Sequence, residues 1–157
     1  MIIYVDGSCR GNGTEHSSGG YGIIICNDNF KFIDCYQHLE ENTTNNRQEL
    51  KGILYCLIKF GNQRPIVYSD SAYCVNTLTK WMYNWANNNW LKSNNQQPEN
   101  LDLIQGYYNL CLQGYAIELN KIKGHNGILG NELADKLATN EMTIKEIKQK
   151  YGGKVIQ

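Results

Sequence analysis

Residues 43–70 read TTNNRQELKGILYCLIKFGNQRPIVYSD, and this stretch decides the fold. Thr and Asn open it, and their short polar side chains satisfy the free N–H groups of a helix's first turn. Leu50, Ile53, Leu54, Leu57 and Ile58 then recur three or four residues apart, which lines one face of a helix. Gly61 is a natural stop. Pro65 to Tyr68 (PIVY) is a short apolar run that ends in the polar SDS, as a buried strand does. Helix followed by buried strand is the unit of a sheet that carries helices on its faces.

Working outward, residues 2–6 (IIYVD), 20–27 (GYGIIICN) and 31–39 (KFIDCYQHL) read as three strands. The turn signal NDN joins the second and third, which predicts an antiparallel meander. On the other side, residues 72–89 read as helical, with Val75, Leu78, Met82 and Trp85 in rough register, and 86–97 as an exposed polar loop. A helix over 101–112, a strand over 115–122 and a loop-then-helix in GHNGILGNELADKLAT complete the order βββαβα(α)αβα. That order predicts an α/β domain with a mixed sheet. The last residues, TIKEIKQKYGGKVIQ, carry extra Lys and read as a short helix with a loose end. The expected division is a catalytic domain over residues 1–140 and a Lys-rich extension over 141–157.

A chain of 157 residues is one domain's worth. Lys plus Arg is 15 and Asp plus Glu is 15, which excludes a globally basic nucleic-acid binder and leaves only a local surface for that purpose. No run approaches the about 18–20 apolar residues of a membrane span, and MIIYVDGSC lacks the basic start of a secretion signal. The six cysteines are irregularly spaced and form no CxxC pair, so they read as reduced core residues rather than disulfide or zinc partners. An intracellular location, cytoplasm or nucleus, is expected.

Four acidic residues stand where strands end or helices turn. Asp6 closes the first strand run and precedes Gly7, and Asp70 follows PIVYS. Ligands of open sheets sit where neighbouring strands end, so these two can face each other. Glu49 lies in the first turns of the helix after TTNN, and Asp135 on the last long helix. Taken singly, each reads as a turn or solvated residue. Taken together they point to a cation: carboxylates at buried strand ends are costly unpaired, and no Lys or Arg adjoins Asp6 or Asp70 in sequence. Hard oxygen ligands favour Mg²⁺ or Mn²⁺, and four carboxylates suit the two-ion arrangement that cleaves phosphodiesters.

In order and spacing, YVDGSCRGNG, GGYGIII, TTNNRQEL, VYSDSAY, WMYNW and KGHNGILGNELADKLA resemble the type 1 ribonuclease H family over roughly residues 1–140. The resemblance implies a five-stranded mixed sheet with three antiparallel strands, then parallel ones, and helices on both faces. It implies hydrolysis of the RNA strand of RNA·DNA hybrids with two Mg²⁺, leaving 3′-hydroxyl and 5′-phosphate ends. By similarity Asp6 bridges both ions, Asp135 shares the water-activating one, and Glu49 and Asp70 share the one beside the departing 3′-oxygen. His125, in GHNG, matches a mobile loop that shuttles protons or assists product release.

The same resemblance implies RNA-strand contacts by Asn12, Asn45, Asn46 and the backbone around Cys9, where donors and acceptors meet 2′-hydroxyls. Asn45 and Asn46 are equally readable as helix caps. Tyr73 and Trp85 match the aromatic channel for the DNA strand, and Thr44 and Asn100 a phosphate pocket. Trp81 and Trp90 are expected to be packing residues. Two departures from the family's pattern stand out. Residues 86–100 (ANNNWLKSNNQQPEN) hold one Lys against one Glu, where many members carry a basic cluster. Compensation is expected from Lys145, Lys148, Lys150 and Lys154 or from a protein partner. Ala72 stands where larger side chains often touch RNA. A monomer without a preceding hybrid-binding domain, and hence of low processivity, is expected. The alternatives are a related superfamily nuclease or a ribonuclease H domain of a reverse transcriptase.

Overall fold

The computed structural model of the chain describes residues 1–12, 16–124 and 127–157. One sheet forms the middle layer, with strands β1 (Ile2–Arg10), β2 (Ser18–Cys26), β3 (Phe32–Glu41), β4 (Ile66–Ser69) and β5 (Glu118–Lys121). Their spatial order is β3-β2-β1-β4-β5. β1–β2 and β2–β3 pair antiparallel, whereas β1–β4 and β4–β5 pair parallel. The expected meander and mixed sheet are both present.

β1 alternates between the two faces, and both are buried. Ile3 and Val5 join Ile23, Ile53, Leu57 and Ile104 in one core, beneath α1 (Asn45–Phe60) and α4 (Leu101–Leu112). Ile2 and Tyr4 join Ile24, Leu133, Leu137 and Ile147 in the other, beneath α5 (Leu129–Ala138) and α6 (Ile144–Tyr151). This central position is why the run IIYV is continuously apolar rather than alternating.

β1 runs four residues beyond the expected strand. Its Gly-rich end pairs with the equally small SGGYG of β2, from Gly7 opposite Tyr21 to Arg10 opposite Ser18. Backbone pairing needs no apolar side chain, so apolar patterning misses it. β5 is shorter than expected, because the Tyr115 N–H serves the Leu110 carbonyl and the Ala116 N–H the Gly61 carbonyl.

The helix expected over 72–89 is three pieces: α2 (Ala72–Asn76), a π-helical turn (Thr77–Trp81) and α3 (Met82–Ala86). Within it the Thr79 hydroxyl donates to the Val75 carbonyl at 2.6 Å, a back-bond that bends helices. The Met82 N–H reaches the Thr77 carbonyl, five residues back.

The end of the chain is not loose. α6 opens on a capping box between Thr143 and Glu146. Beyond it, Val155 bridges to Lys31, the Ile156 N–H donates to the Phe30 carbonyl at 2.9 Å, and Ile156 is 1% exposed. The sequence hides this because Val155 and Ile156 are two apolar residues in a polar tail.

Candidate active site

Glycine lets the site form. A Cβ on Gly7 would be driven into the backbone nitrogen of Glu49, so the Asp-Gly pair is what allows α1 to descend onto β1. Asp6 projects from β1, Glu49 lies in the second turn of α1, and Asp70 directly follows β4. Parallel pairing sets Val5 opposite Ser69, so Asp6 within β1 and Asp70 just past β4 stand at the same level. One oxygen from each of Asp6, Glu49 and Asp70 lies within 4.8 Å of the other two. Asp135, from α5 on the opposite face, bears on Asp6 and helps raise its pKa. Three of the four carboxylates found in the sequence thus form one cluster, and Asp135 acts on it through Asp6.

Asp6 and Glu49 are 6% and 3% exposed, and both carboxyls are pushed well above the ordinary carboxylate range. For Asp6 burial is the largest cause, followed by the charges of Glu49 and Asp70 and the contact with Asp135. For Glu49 burial again dominates and the Asp70 charge adds to it, while hydrogen bonds from Ser69, Gly7 and Asp6 oppose it. No described Lys, Arg or His forms an ion pair with any of the four. A set of hard oxygens crowded together without a countercharge is what a divalent cation satisfies. The donor set thus fits a divalent metal.

Of the substrate candidates, Cys9 lies near the end of β1 and Asn12 just beyond it, with Asn45 and Asn46 at the start of α1. The Asn12 Oδ1 accepts the Asn45 N–H at 2.7 Å, tying the end of β1 to the start of α1, and the Cys9 Sγ donates to the Thr43 carbonyl at 3.3 Å. Asn45 and Asn46 are exposed first-turn residues. The cap is Thr44, whose side chain accepts the Arg47 N–H at 3.1 Å, so neither Asn is needed for capping.

Arg47, which sequence reasoning passed over, joins residues far apart in the chain. Its guanidinium donates to the Asn100 Oδ1 at 3.2 Å and to both oxygens of Asp102 at 3.1 and 2.7 Å. Arg47 therefore touches both: its backbone N–H bonds Thr44 and its guanidinium bonds Asn100. The available signal was that Arg47 is the one basic residue inside TTNNRQEL.

Tyr73 and Trp85 do share a groove, with Lys92, Pro98 and Glu99. Trp81 also lines it, against the expectation of a packing role. It is 39% exposed, with its ring 6.2 Å from Tyr73 and 6.3 Å from Trp85. The π-helical turn ends on Trp81. Trp90 packs edge-on against Tyr108 at 5.2 Å, as expected of a packing residue. Two buried polar residues were also missed, Ser69 on β4 and Asn131 one turn before Asp135 on α5. His125 lies outside the described residues.

The RNase H family model matches residues 1–143. A ribonuclease H of Rickettsia massiliae is 40% identical over 140 residues, covering 88% of each chain. One from Clostridium botulinum is 36% identical over 144 residues, covering 90% of this chain and 95% of that one. Among solved structures, a type 1 RNase H with the type 2 active-site motif superposes with a TM-score of 0.73 at 28% identity, over 98% of this chain and 74% of that one. A foamy viral protease-reverse transcriptase in complex with RNA/DNA hybrid superposes at 0.79 and 18% identity, over 88% of this chain and 19% of that one. The latter likeness concerns the fold.

Proposed function

Because the chain belongs to the ribonuclease H family, an enzyme family that cuts the RNA strand of RNA–DNA hybrids, we propose that it does so through two Mg²⁺ held by Asp6, Glu49, Asp70 and Asp135. The observation that carries this reading is the convergence of three acidic oxygens within 4.8 Å, from the middle of β1, the second turn of α1 and the end of β4. Bound there, divalent ions would lower the pKa of an attacking water and offset charge on the departing 3′-oxygen, leaving 3′-hydroxyl and 5′-phosphate ends. Mn²⁺ offers the same preference for oxygen and is the expected substitute.

The chain's own residues supply recognition. The RNA strand lies along Cys9, Asn12, Asn45 and Asn46, whose amides and backbone groups both donate to and accept from 2′-hydroxyls. The DNA strand lies on Tyr73, Trp81 and Trp85, whose flat faces take deoxyribose and offer a 2′-hydroxyl no partner. Thr44 and Asn100 hold a phosphate of that strand. His125 moves a proton or helps the product leave. The protein acts as a monomer, and a partner or the Lys-rich tail makes up for the neutral loop. No described helix is long and apolar enough to cross a membrane. The named relatives are bacterial, which leaves the nuclear alternative without support.

The test is incubation with labelled hybrid, double-stranded RNA, double-stranded DNA and single strands, with and without Mg²⁺. Cleavage of the hybrid's RNA strand alone, dependent on Mg²⁺ and absent in Asp6→Asn, is expected. Normal turnover by Asp6→Asn would overturn the assignment.

A further inference from the structure

Glu49 is held from two strands at once. The Gly7 N–H of β1 donates to its Oε2, and the Ser69 hydroxyl of β4 donates to its Oε1 at 2.5 Å. Ser69 is fully buried, and its oxygen already accepts the Ser71 N–H at 3.1 Å. A hydroxyl has one proton. That proton goes to Glu49 while a lone pair of the same oxygen takes the Ser71 N–H. The turn that follows β4 thus helps hold the Ser69 oxygen in place.

We propose that Ser69 is the positioning residue of the acidic cluster, aiming the Glu49 carboxylate at the cation site it shares with Asp70. This inference rests on the divalent-cation reading above. Without the hydroxyl, Glu49 loses its hydrogen bond from β4 and is held from β1 alone, by the Gly7 N–H and by Asp6. Bonds from one strand let the carboxylate shift relative to Asp70, whereas bonds from both strands, one per oxygen, tie it to the end of β4. Glu49 reaches the site on a helix and Asp70 on a strand, so their relative placement needs a link between the two elements. Ser69 supplies it from the position next to Asp70. Partners that orient ligating carboxylates typically contribute about 10- to 100-fold in metal affinity or activity.

The experiment compares wild type with Ser69→Ala, Ser69→Thr and Ser69→Cys. It measures Mn²⁺ binding by electron paramagnetic resonance, kcat and KM on a hybrid, and melting in EDTA. Ser69→Ala should bind Mn²⁺ about tenfold more weakly and lose about tenfold in kcat, with KM for hybrid within about twofold. Ser69→Thr, which keeps the hydroxyl, should recover most of both. Unchanged Mn²⁺ affinity and kcat in Ser69→Ala overturn the proposal, as does a loss that Ser69→Thr does not recover. If Ser69→Ala fails to fold, Ser69→Cys carries the test, since a thiol fills the space but donates feebly; wild-type affinity there overturns the proposal. Asp6→Asn runs alongside: its retained activity would sink the cation reading itself, whereas a neutral Ser69 sinks only the positioning role.

Discussion

Gly22 of β2 lies directly against the Ala134 carbonyl of α5, so close that a Cβ at position 22 would be driven into that oxygen. The contact sets how near α5 comes to the sheet, and Asp135 is the next residue on that helix. Gly22→Ala should therefore act on the site from a distance. Overpacking of this kind costs about 1–3 kcal/mol, and lifting α5 carries Asp135 away from Asp6. A lowered melting temperature, together with a kcat reduced by more than tenfold in the still-folded protein, is the expected result. Wild-type kcat in a destabilised protein would show that Asp135 tolerates the shift.

The raised Asp6 carboxyl makes metal-free stability depend on pH. Its folded pKa is above the unfolded value of 3.8, chiefly through burial and then the Glu49 and Asp70 charges. The folded state thus holds a proton that the unfolded state has released, and stability falls as pH rises from about that value upward through the folded pKa. In EDTA, melts should show the protein more stable near pH 5 than near pH 8. Asp6→Asn removes one of the crowded charges and should flatten the profile, standing above wild type at pH 8. Mg²⁺ should raise the wild-type melting temperature most at the alkaline end. A profile rising with pH would contradict the like-charge account.

How much of this was legible depended on whether side chains or backbone carried the information. The apolar spacing of Leu50, Ile53 and Leu57 gave α1 correctly, and the run IIYV gave a central strand. Asp6, Glu49, Asp70 and Asp135 could be grouped because strand ends and helix turns are local features. Features made by backbone or by distant partners were not legible. The extension of β1 to Arg10 rests on pairing with small residues. The exposure of Trp81 follows a π-helical turn with no signature in its own five residues. Arg47 and Ser69 gain their meaning from Asn100, Asp102 and Glu49, which lie 20 or more positions away.

The buried end of the chain gives a stability prediction. Ile156 sits in the core formed by Ile2, Phe32 and Ile147, and its backbone pairs with Phe30. Truncating a buried Ile to Ala costs about 2–5 kcal/mol. Ile156→Ala should lower the urea midpoint accordingly while leaving KM for hybrid unchanged, because Ile156 itself pairs beside Phe30, near the Ile2 end of β1 rather than at Asp6. A change below about 0.5 kcal/mol, the level of an ordinary surface substitution, would mean that the tail is frayed in solution.

The loop over residues 86–100 presents Lys92 and Glu99 to the groove of Tyr73, Trp81 and Trp85, so its local charge cancels. Arg47, the cation nearest the expected phosphate position, is already paired with Asp102. Each phosphate neutralised by a protein cation adds roughly one to the slope of log affinity against log salt, so few free cations mean a shallow slope. Affinity for a hybrid, measured by fluorescence anisotropy between 50 and 200 mM salt (about the span over which phosphate-rich interfaces lose several decades), should fall by about tenfold or less. Replacing Asn94 and Gln96 by Lys should steepen the slope by about two and tighten binding at low salt. Asp102→Asn should act in the same direction by freeing the Arg47 guanidinium for phosphate. A steep slope in the unaltered protein would instead place cations along the hybrid that the groove does not contain, and the Lys145–Lys154 tail would then be the surface to neutralise next.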